Sequence, residues 1–391
     1  MKNIAVIGAG IAGLLPAYYL AKEGYRVTVY EQESYPAMRT SYANGGQVSV
    51  SNSEVWTTWA NVFKGLKWIL KKDAPLLIRP SLDWDKAVWL SKFLYHTAAN
   101  DSARRTAETI SLGIQSRRLY QDIIKEENLQ FDQSNCGILH FYKDQKYFDN
   151  AILAQEIYES NRCDWRIVNK KELLDIEPRL SNAEGILGGA WTPSDWTGDI
   201  HKFCCELEKV LRTKYYVDFV YNYKVYDIDQ LIQETCVIAN GVGSVSLAKT
   251  IGDKLPIYPI KGYSITISAD DVKTYESMPT TSLLDDQAKI VTSKLGNRLR
   301  VAGTAELTGE NYDIRRDRID PLLNWVNTNL PQIDRKNYTQ WACLRPMTPN
   351  MMPIVKQSKN PNVYYHVGHG HLGWTLSPAT AQQLVKLISD T

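Results

Sequence analysis

The first 31 residues carry the pattern that most narrows the fold. The stretch NIAVIGAGIAGLLPAYYLAKEGYRVTVYEQE, residues 3–33, predicts a buried strand, a tight turn, a helix and a second strand that ends at the acidic residue Glu31. Gly8, Gly10 and Gly13 follow the spacing G-x-G-x-x-G, which suits a turn, the approach of backbone to a diphosphate, and close packing of helix on strand. The segment predicts a dinucleotide-binding βαβ unit; a plain βαβ turn is the alternative.

The acid at the end of the second strand and two later loops narrow the choice of dinucleotide. Glu31 is placed to bind the ribose hydroxyls of an adenosine and would repel a 2′-phosphate, so NADP fits poorly, whereas NAD and FAD both fit. RTSYANGGQVS (39–49) suits a loop around a diphosphate and a flavin, and TCVIANGVGS (235–244) predicts a short strand that returns to the same sheet. Either stretch alone is also explained by an ordinary loop, but the two together favour FAD.

Pro16 fits the first predicted helix poorly. It falls within the first two turns, where it supplies no N–H to the carbonyl of Ala12 and its ring presses on the preceding turn. We expect a local kink and an unpaired carbonyl.

Length and composition exclude several classes of protein. The chain has 391 residues, enough for one large or two intertwined domains, and its formal net charge of +2 gives no electrostatic reason to expect a nucleic-acid partner. Its six cysteines show no C-x-x-C spacing, no signal peptide precedes the first strand, and no run of eighteen apolar residues occurs. We therefore expect a cytoplasmic protein with free thiols.

A loop near the end of the chain combines three glycines with three histidines. The stretch VYYHVGHGHLGWTLSPATAQQLVKL, residues 363–387, has three interpretations: a metal site built from His366, His369 and His371, a glycine-rich phosphate cradle, or an ordinary tight turn.

These motifs, together with YPIKGYSITI (258–267) and CLRPMTPNMMPIV (343–355), resemble the D-amino acid dehydrogenase branch of the FAD-dependent D-amino acid oxidase and glycine oxidase superfamily. The resemblance runs along nearly the whole chain. It implies FAD as the cofactor and oxidative deamination of small D-amino acids, such as D-alanine, to a 2-oxo acid and ammonia. The hydride would pass to flavin N5, and the electrons would leave to a quinone or another non-oxygen acceptor. An oxygen-using flavin amine oxidase of the glycine or sarcosine oxidase type and a non-catalytic flavin-binding protein are the alternatives.

The fold expected from the sequence and the resemblance is α/β with mixed α+β character. A Rossmann-like FAD-binding domain would carry a second domain, in which period-two strands form an antiparallel sheet over the flavin. We predict that residues 1–81, 169–251 and 341–391 form the FAD-binding domain, and that residues 82–168 and 252–340 form the substrate-binding domain.

The resemblance also gives a role to the histidine-containing loop. In this family the loop lies against the isoalloxazine and leads into a helix, expected here to begin near Pro378, whose N-terminus stabilises the anionic form of the reduced flavin. The histidine spacing is too short for a helical ligand pair and no partner cysteine or acid cluster is evident, so we expect no metal.

Individual site residues follow from the same resemblance. Arg345 would bind the substrate carboxylate, or else form a salt bridge on a loop; Tyr263 would be a second contact through its hydroxyl, or else a packed strand aromatic. Cys343 stands where related sarcosine oxidases attach FAD covalently, and a small buried thiol is the alternative. The other expected cofactor-binding residues are Ile7, Gly8, Gly10, Ile11, Ala12, Gly13, Glu31, Gln32, Arg39, Thr40, Ser41, Asn44, Gly45, Gly46, Gln47, Val225, Ala239, Asn240, Gly241, Gly368, His369, Gly370, His371, Leu372, Gly373, Trp374 and Thr375.

The segment 53–78 predicts an amphipathic helix. Its apolar residues fall on one helical face and its lysines on the other. This face would either pack on the core or lie on an anionic membrane surface, at the inner face of the cell membrane, where the flavin would reach a quinone. The apolar residues are Val55, Trp56, Trp59, Val62, Phe63, Leu66, Ile69 and Leu70, and the lysines are Lys64, Lys67, Lys71 and Lys72.

Overall fold

The computed structural model describes residues 2–69, 75–78 and 82–390. Its strands are β1 (Asn3–Ile7), β2 (Arg26–Tyr30), β3 (Gln47–Val48), β4 (Leu76–Ile78), β5 (Ile138–Tyr142), β6 (Arg166–Asn169), β7 (Gly188–Thr192), β8 (Trp196–Thr197), β9 (Asp218–Val220), β10 (Thr235–Ile238), β11 (Tyr258–Ser268), β12 (Ser282–Asp285), β13 (Ile290–Leu295), β14 (Arg298–Leu307), β15 (Tyr338–Met347), β16 (Ile354–Gln357) and β17 (Val363–Val367). Its α-helices are α1 (Ile11–Lys22), α2 (Trp59–Ile69), α3 (Trp84–Ala98), α4 (Ser102–Glu127), α5 (Gln145–Ser160), α6 (Lys170–Ile176), α7 (Ile200–Thr213), α8 (Ser244–Thr250), α9 (Val272–Ser277), α10 (Arg316–Asn329) and α11 (Gly373–Ser389).

The first sheet is built around the N-terminal strand. Its strands follow the order β16-β17-β10-β1-β2-β9, and all neighbours are parallel except β16 and β17. Central strands of a parallel sheet are buried on both faces, which explains the continuous apolar runs of β1 and β10. Helices α1, α4, α7 and α11 contribute to the core on one face. The expectation of a Rossmann-like domain is confirmed.

The second sheet follows the order β15-β11-β14-β13-β12-β5-β7-β6, and β4 pairs with β14 at the side. Most neighbours are antiparallel, but β12 pairs with β5 and β14 pairs with β4 in parallel. The sheet is therefore mixed rather than antiparallel as expected. One of its faces packs on α10, and this core includes Ile265, Leu322 and Trp325.

The predicted domain boundaries differ from the sheets at several places. Strands β4 and β7 were expected in the FAD-binding domain but pair within the second sheet, and the boundary at 341 cuts through β15. Conversely, α4 was expected in the substrate-binding domain, but its Tyr120 and Ile123 belong to the core of the first sheet. Strands join a sheet by hydrogen bonding to a neighbour in space, so contiguous sequence blocks are a poor guide here.

The two helices predicted from short motifs begin at different residues from those expected. Helix α2 begins at Trp59, so Val55 and Trp56 precede it, and Leu70, Lys71 and Lys72 lie outside the described residues. Helix α11 begins at Gly373 and continues through Pro378, after a 3-10 turn over Gly370–Leu372.

Candidate functional site

A cavity of about 1850 Å³ lies between the carboxyl ends of the first sheet and one face of the second sheet. Ordinary ligand pockets measure roughly 300–1,000 Å³, so this one has room for a dinucleotide and a second small molecule. Gly13 and Gly46 are the members of the expected cofactor set that do not line it, and the other members do.

The glycine fingerprint forms a tight corner between β1 and α1. Gly8 has a φ of +105°, a backbone conformation that favours glycine, and a Cβ at Gly13 would lie 1.8 Å from the carbonyl oxygen of Gly8. A Cβ at Gly10 would be 3.4 Å from its nearest neighbour, the Oγ of Ser41, so the protein itself leaves room there. The fingerprint thus has one glycine for the turn, one for helix packing, and one that faces the cavity.

Glu31 is fixed at the end of β2 by backbone amides. Its Oε2 accepts a hydrogen bond from the N–H of Ala9 at 2.7 Å and its Oε1 accepts one from the N–H of Glu33 at 2.9 Å. Burial raises the pKa of the Glu31 carboxyl, while these two N–H groups lower it. The carboxylate is held at the cavity wall with lone pairs left for a ribose diol.

The histidines of the loop after β17 bind the protein itself. The Nδ1–H of His366 donates to the carbonyl oxygen of Ala12 at 2.6 Å, so the hydroxyl of Thr380, 2.8 Å away, donates to its Nε2. The Nε2–H of His369 in turn donates to the Thr380 Oγ1 at 2.9 Å. Burial lowers the pKa of His366 to about 4, in keeping with a neutral ring.

Two helices that border the cavity, α1 and α11, each contain a proline. The carbonyl four residues before each proline accepts a hydrogen bond from a side chain instead of from the missing helical N–H. Pro16 supplies no N–H to Ala12, which accepts from His366 instead, so the carbonyl expected to be unpaired is paired. Pro378 likewise supplies none to Trp374, whose carbonyl accepts from the hydroxyl of Tyr120 at 2.7 Å.

The pairing of Pro16 with His366 predicts a measurable coupling. His366→Ala should lower the free energy of unfolding by about 1–3 kcal/mol, because the Ala12 carbonyl loses its donor. Pro16→Ala gives that carbonyl a helical N–H, so the same His366→Ala change should cost less in the Pro16→Ala background. Urea unfolding of the four proteins measures the difference. Additive effects, within about 0.5 kcal/mol, would contradict the assignment.

Arg345 places a positive charge in the cavity without an acidic partner. Its Nη1 donates to the carbonyl oxygen of Thr304 at 2.9 Å, and Gly262 gives it room, since a Cβ there would lie 2.3 Å from Nη2. No carboxylate lies within 4.0 Å of it anywhere in residues 2–69, 75–78 and 82–390. Burial lowers the pKa of the Arg345 guanidinium, which nevertheless stays charged near neutrality. This arrangement suits a carboxylate ligand.

Tyr263 follows Gly262 on β11, but its side chain points to the face of the sheet opposite to Arg345. Its neighbours face the cavity side: Gly262 packs against Arg345, and Ser264 donates to the carbonyl oxygen of Ala43 at 2.8 Å. Because side chains alternate along a strand, Tyr263 points into the core beneath α10, where its hydroxyl donates to Glu306 at 2.5 Å. This geometry contradicts the expected contact between the Tyr263 hydroxyl and a substrate.

Several cavity residues were not predicted from the sequence. The ring of Trp56 stacks on that of His371, with centroids 4.7 Å apart, and Lys289 lies further along the same wall. Trp56 stood out only as part of an amphipathic stripe, and nothing in the sequence around Lys289 indicated a site.

The comparisons with known proteins agree with this geometry. A family described as FAD dependent oxidoreductase matches residues 3–387. D-amino acid dehydrogenase 3 of Mesorhizobium japonicum is 46% identical, and the match covers 100% of this chain and 97% of that protein. A D-amino acid dehydrogenase of Dechloromonas aromatica is 36% identical over 99% of this chain and 97% of its own length. The chain belongs to the FAD dependent oxidoreductase family.

Solved structures give the same fold. Glycine oxidase from Geobacillus kaustophilus superposes with a TM-score of 0.77 over 100% of this chain and 96% of its own, at 18% identity. A family member of this kind is an enzyme with FAD as its cofactor, and the cavity residues fit that group. Space at Gly10 is left open to a ligand, and the buried Oδ1 of Asn240 and Nε1 of Trp374 have no hydrogen-bond partner among the described residues.

Cys343 lines the cavity near Arg345, and its thiol is the group expected to carry any covalent bond to FAD. Burial raises the pKa of its thiol, which the nearby Arg345 and Arg300 lower only in part, and a neutral thiol is a poor nucleophile. We predict that acid precipitation releases free FAD into the supernatant and that Cys343→Ser keeps the same flavin content. Yellow colour in the pellet would contradict this prediction.

Proposed function

We propose that the protein oxidatively deaminates D-amino acids to 2-oxo acids and ammonia, with FAD as the electron acceptor within the enzyme. The observation that carries the proposal is the Arg345 guanidinium, which has no carboxylate partner among the described residues and lies in a cavity large enough for FAD and a substrate. The full-length similarity to D-amino acid dehydrogenases supports the choice of D-amino acids.

Arg345 would hold the substrate carboxylate through two parallel hydrogen bonds, which fixes the orientation of the Cα–H bond. FAD supplies the acceptor for the hydride that leaves Cα. The substrate amine must be neutral when the hydride leaves, and its lone pair then forms the C=N bond of the imino acid. Water adds to that bond, and ammonia leaves.

The imidazole of His371 lies near Arg345 and does not add a second positive charge there. Burial and then the charge of Arg345 lower the pKa of His371 to about 3, so the ring is neutral at physiological pH. Neither ring nitrogen has a hydrogen-bond partner among the described residues.

The deciding experiment is a visible spectrum of the purified protein mixed without oxygen with D-alanine and, in parallel, with L-alanine. Bleaching of the flavin by the D-isomer only is the expected result. Bleaching by the L-isomer, or by neither isomer and no other D-amino acid, would overturn the proposal. Peroxide release at the rate of turnover in air would favour the oxygen-using amine oxidase instead.

We also propose that electrons leave to a quinone or another non-oxygen acceptor at a membrane surface that α2 contacts. Trp59, Phe63 and Leu66 recur at one helical face and are 50%, 59% and 57% exposed. Lys64 faces Tyr147, with its Nζ 4.3 Å from the ring centroid, so the outward face is mainly apolar and has Lys67 beside it. Such a face suits the interface of an anionic bilayer. No described helix is long and apolar enough to cross a membrane.

The membrane proposal predicts that the protein sediments with vesicles that contain phosphatidylglycerol. Trp59→Glu with Phe63→Glu should lower the bound fraction at least about tenfold, because two large apolar side chains lose their burial in the interface. Val272→Glu, which changes another exposed apolar residue, is the control. Background sedimentation of the wild-type protein would contradict the proposal.

A further inference from the structure

The cavity continues past Arg345 to a group of charged side chains that the proposed reaction does not use. Asp286 is fully engaged there: its Oδ1 accepts from Lys289 at 3.0 Å, and its Oδ2 accepts from His140 Nδ1–H at 2.9 Å and from the hydroxyl of Tyr142 at 3.0 Å. Burial opposes ionisation of Asp286, but Lys289 and His140 hold its pKa well below its usual range. The charge of Lys289 is therefore matched within the protein.

Glu54 stands beside this group and has no such partner. Its side chain lines the cavity and is accessible, yet its carboxylate forms no hydrogen bond or ion pair with any residue in the described parts of the chain. Burial raises the pKa of Glu54, and the charges of Lys289, Lys64 and His140 lower it without direct contact, whereas Asp286 raises it. An accessible carboxylate that lines the cavity and has no cationic partner among the described residues can pair with the cation of a bound ligand.

The loop that carries Glu54 is held firmly. The carboxylate of Asp195 accepts from the N–H groups of Val50 and Ser51 at 3.0 and 2.9 Å, and Arg117 pairs with Asp195 at 2.8 Å. The hydroxyl of Tyr158 donates to the carbonyl oxygen of Ser51 at 2.8 Å. A rigid loop can present a charge at a fixed place, which is what recognition of a substrate side chain requires.

Trp56 and His371 connect Glu54 with Arg345. Their stacked rings line the cavity, and the charges of both Arg345 and Lys289 act on His371. His371 is therefore near both Arg345 and Lys289, and Lys289 is in turn near Glu54.

We propose that Glu54 binds the positively charged end of the substrate side chain, an amine or a guanidinium, and so directs the enzyme toward basic D-amino acids. The inference rests on the proposed function, because it takes Arg345 as the carboxylate site. A carboxylate side chain fits less well, since the lysine it would need is already paired with Asp286.

The test compares D-lysine with D-norleucine, which has a similar chain without the amine. The wild-type protein should show a kcat/KM for D-lysine about tenfold or more above that for D-norleucine, and Glu54→Gln should remove this preference. Values for D-alanine should stay within about twofold in Glu54→Gln. Glu276→Gln, a change of an exposed glutamate on α9, is the control variant.

Three results would overturn the inference: no preference for D-lysine in the wild-type protein, a preference for D-glutamate, or an equal loss for all substrates in Glu54→Gln. Flavin absorbance and the melting temperature show whether that variant is folded. Failure of the proposed function is distinguishable, because then no D-amino acid bleaches the flavin in any variant.

Discussion

Arg345→Ala should lower kcat/KM for D-alanine by roughly 30- to 3,000-fold while the flavin content of the purified protein stays unchanged. The range corresponds to the roughly 2–5 kcal/mol expected when one partner of an enclosed, hydrogen-bonded charge pair is removed. The Thr304 carbonyl that the guanidinium contacts cannot take its place, because a carbonyl oxygen does not bind an anion.

Two further variants make the Arg345 result specific. Arg345→Lys keeps the charge but loses the planar pair of donors, so its kcat/KM should fall between those of the wild-type protein and Arg345→Ala. Arg316→Ala removes an arginine whose side chain is 92% exposed and should change nothing. A near-normal kcat/KM in Arg345→Ala would exclude the assigned role.

Gly10→Ala should produce a folded but colourless protein. The added Cβ would lie at an ordinary contact distance of 3.4 Å from Ser41, so the fold has room for it, but it would occupy the space through which backbone approaches the diphosphate. We expect the Kd for FAD to rise at least about 100-fold. Fluorescence titration of the apoprotein measures the Kd, and circular dichroism and the melting temperature check the fold.

Gly13→Ala is the matched comparison, because it adds the same methyl group one helical turn away. Its Cβ would be 1.8 Å from the carbonyl oxygen of Gly8, so α1 must move off β1 and the protein itself should be destabilised. Wild-type affinity for FAD in Gly10→Ala, or equal loss of stability in both variants, would contradict the division of roles between these glycines.

The parts of the site that were predictable are those whose chemistry is local in sequence. Gly8 needs glycine because of its own φ of +105°, and Gly13 needs it because the carbonyl oxygen of Gly8 lies so close, so both requirements can be read from the local sequence. The Ala12 carbonyl was correctly singled out by Pro16, but its donor His366 is 354 residues further along the chain. A local pattern can show that a backbone group lacks its usual partner, but only the folded chain shows which residue takes that place.

The error at Tyr263 has a different origin. Strand β11 pairs with β15 in an unbroken register from Tyr258 to Ile267, so the side chain of Tyr263 lies on the face opposite to Gly262 and Ser264. The motif therefore gave the right strand and the wrong face. Glu54 and Lys289 were missed because neither belongs to a motif in its own segment. They line the same cavity only because the fold brings the loop after β3 close to the turn between β12 and β13.

The order of strands in the first sheet has a consequence for the synthesis of the protein. Ile4 pairs with Thr235 and Cys236 pairs with Val363, so a chain leaving the ribosome forms β1, α1 and β2 long before it can complete their sheet. Strand pairs between residues this far apart in sequence form slowly. Until β17 emerges, the unpaired edge of β10 can bind other chains. The nascent protein therefore depends on protection from aggregation during most of its synthesis, and a chain that stops before residue 363 cannot complete the sheet that holds FAD.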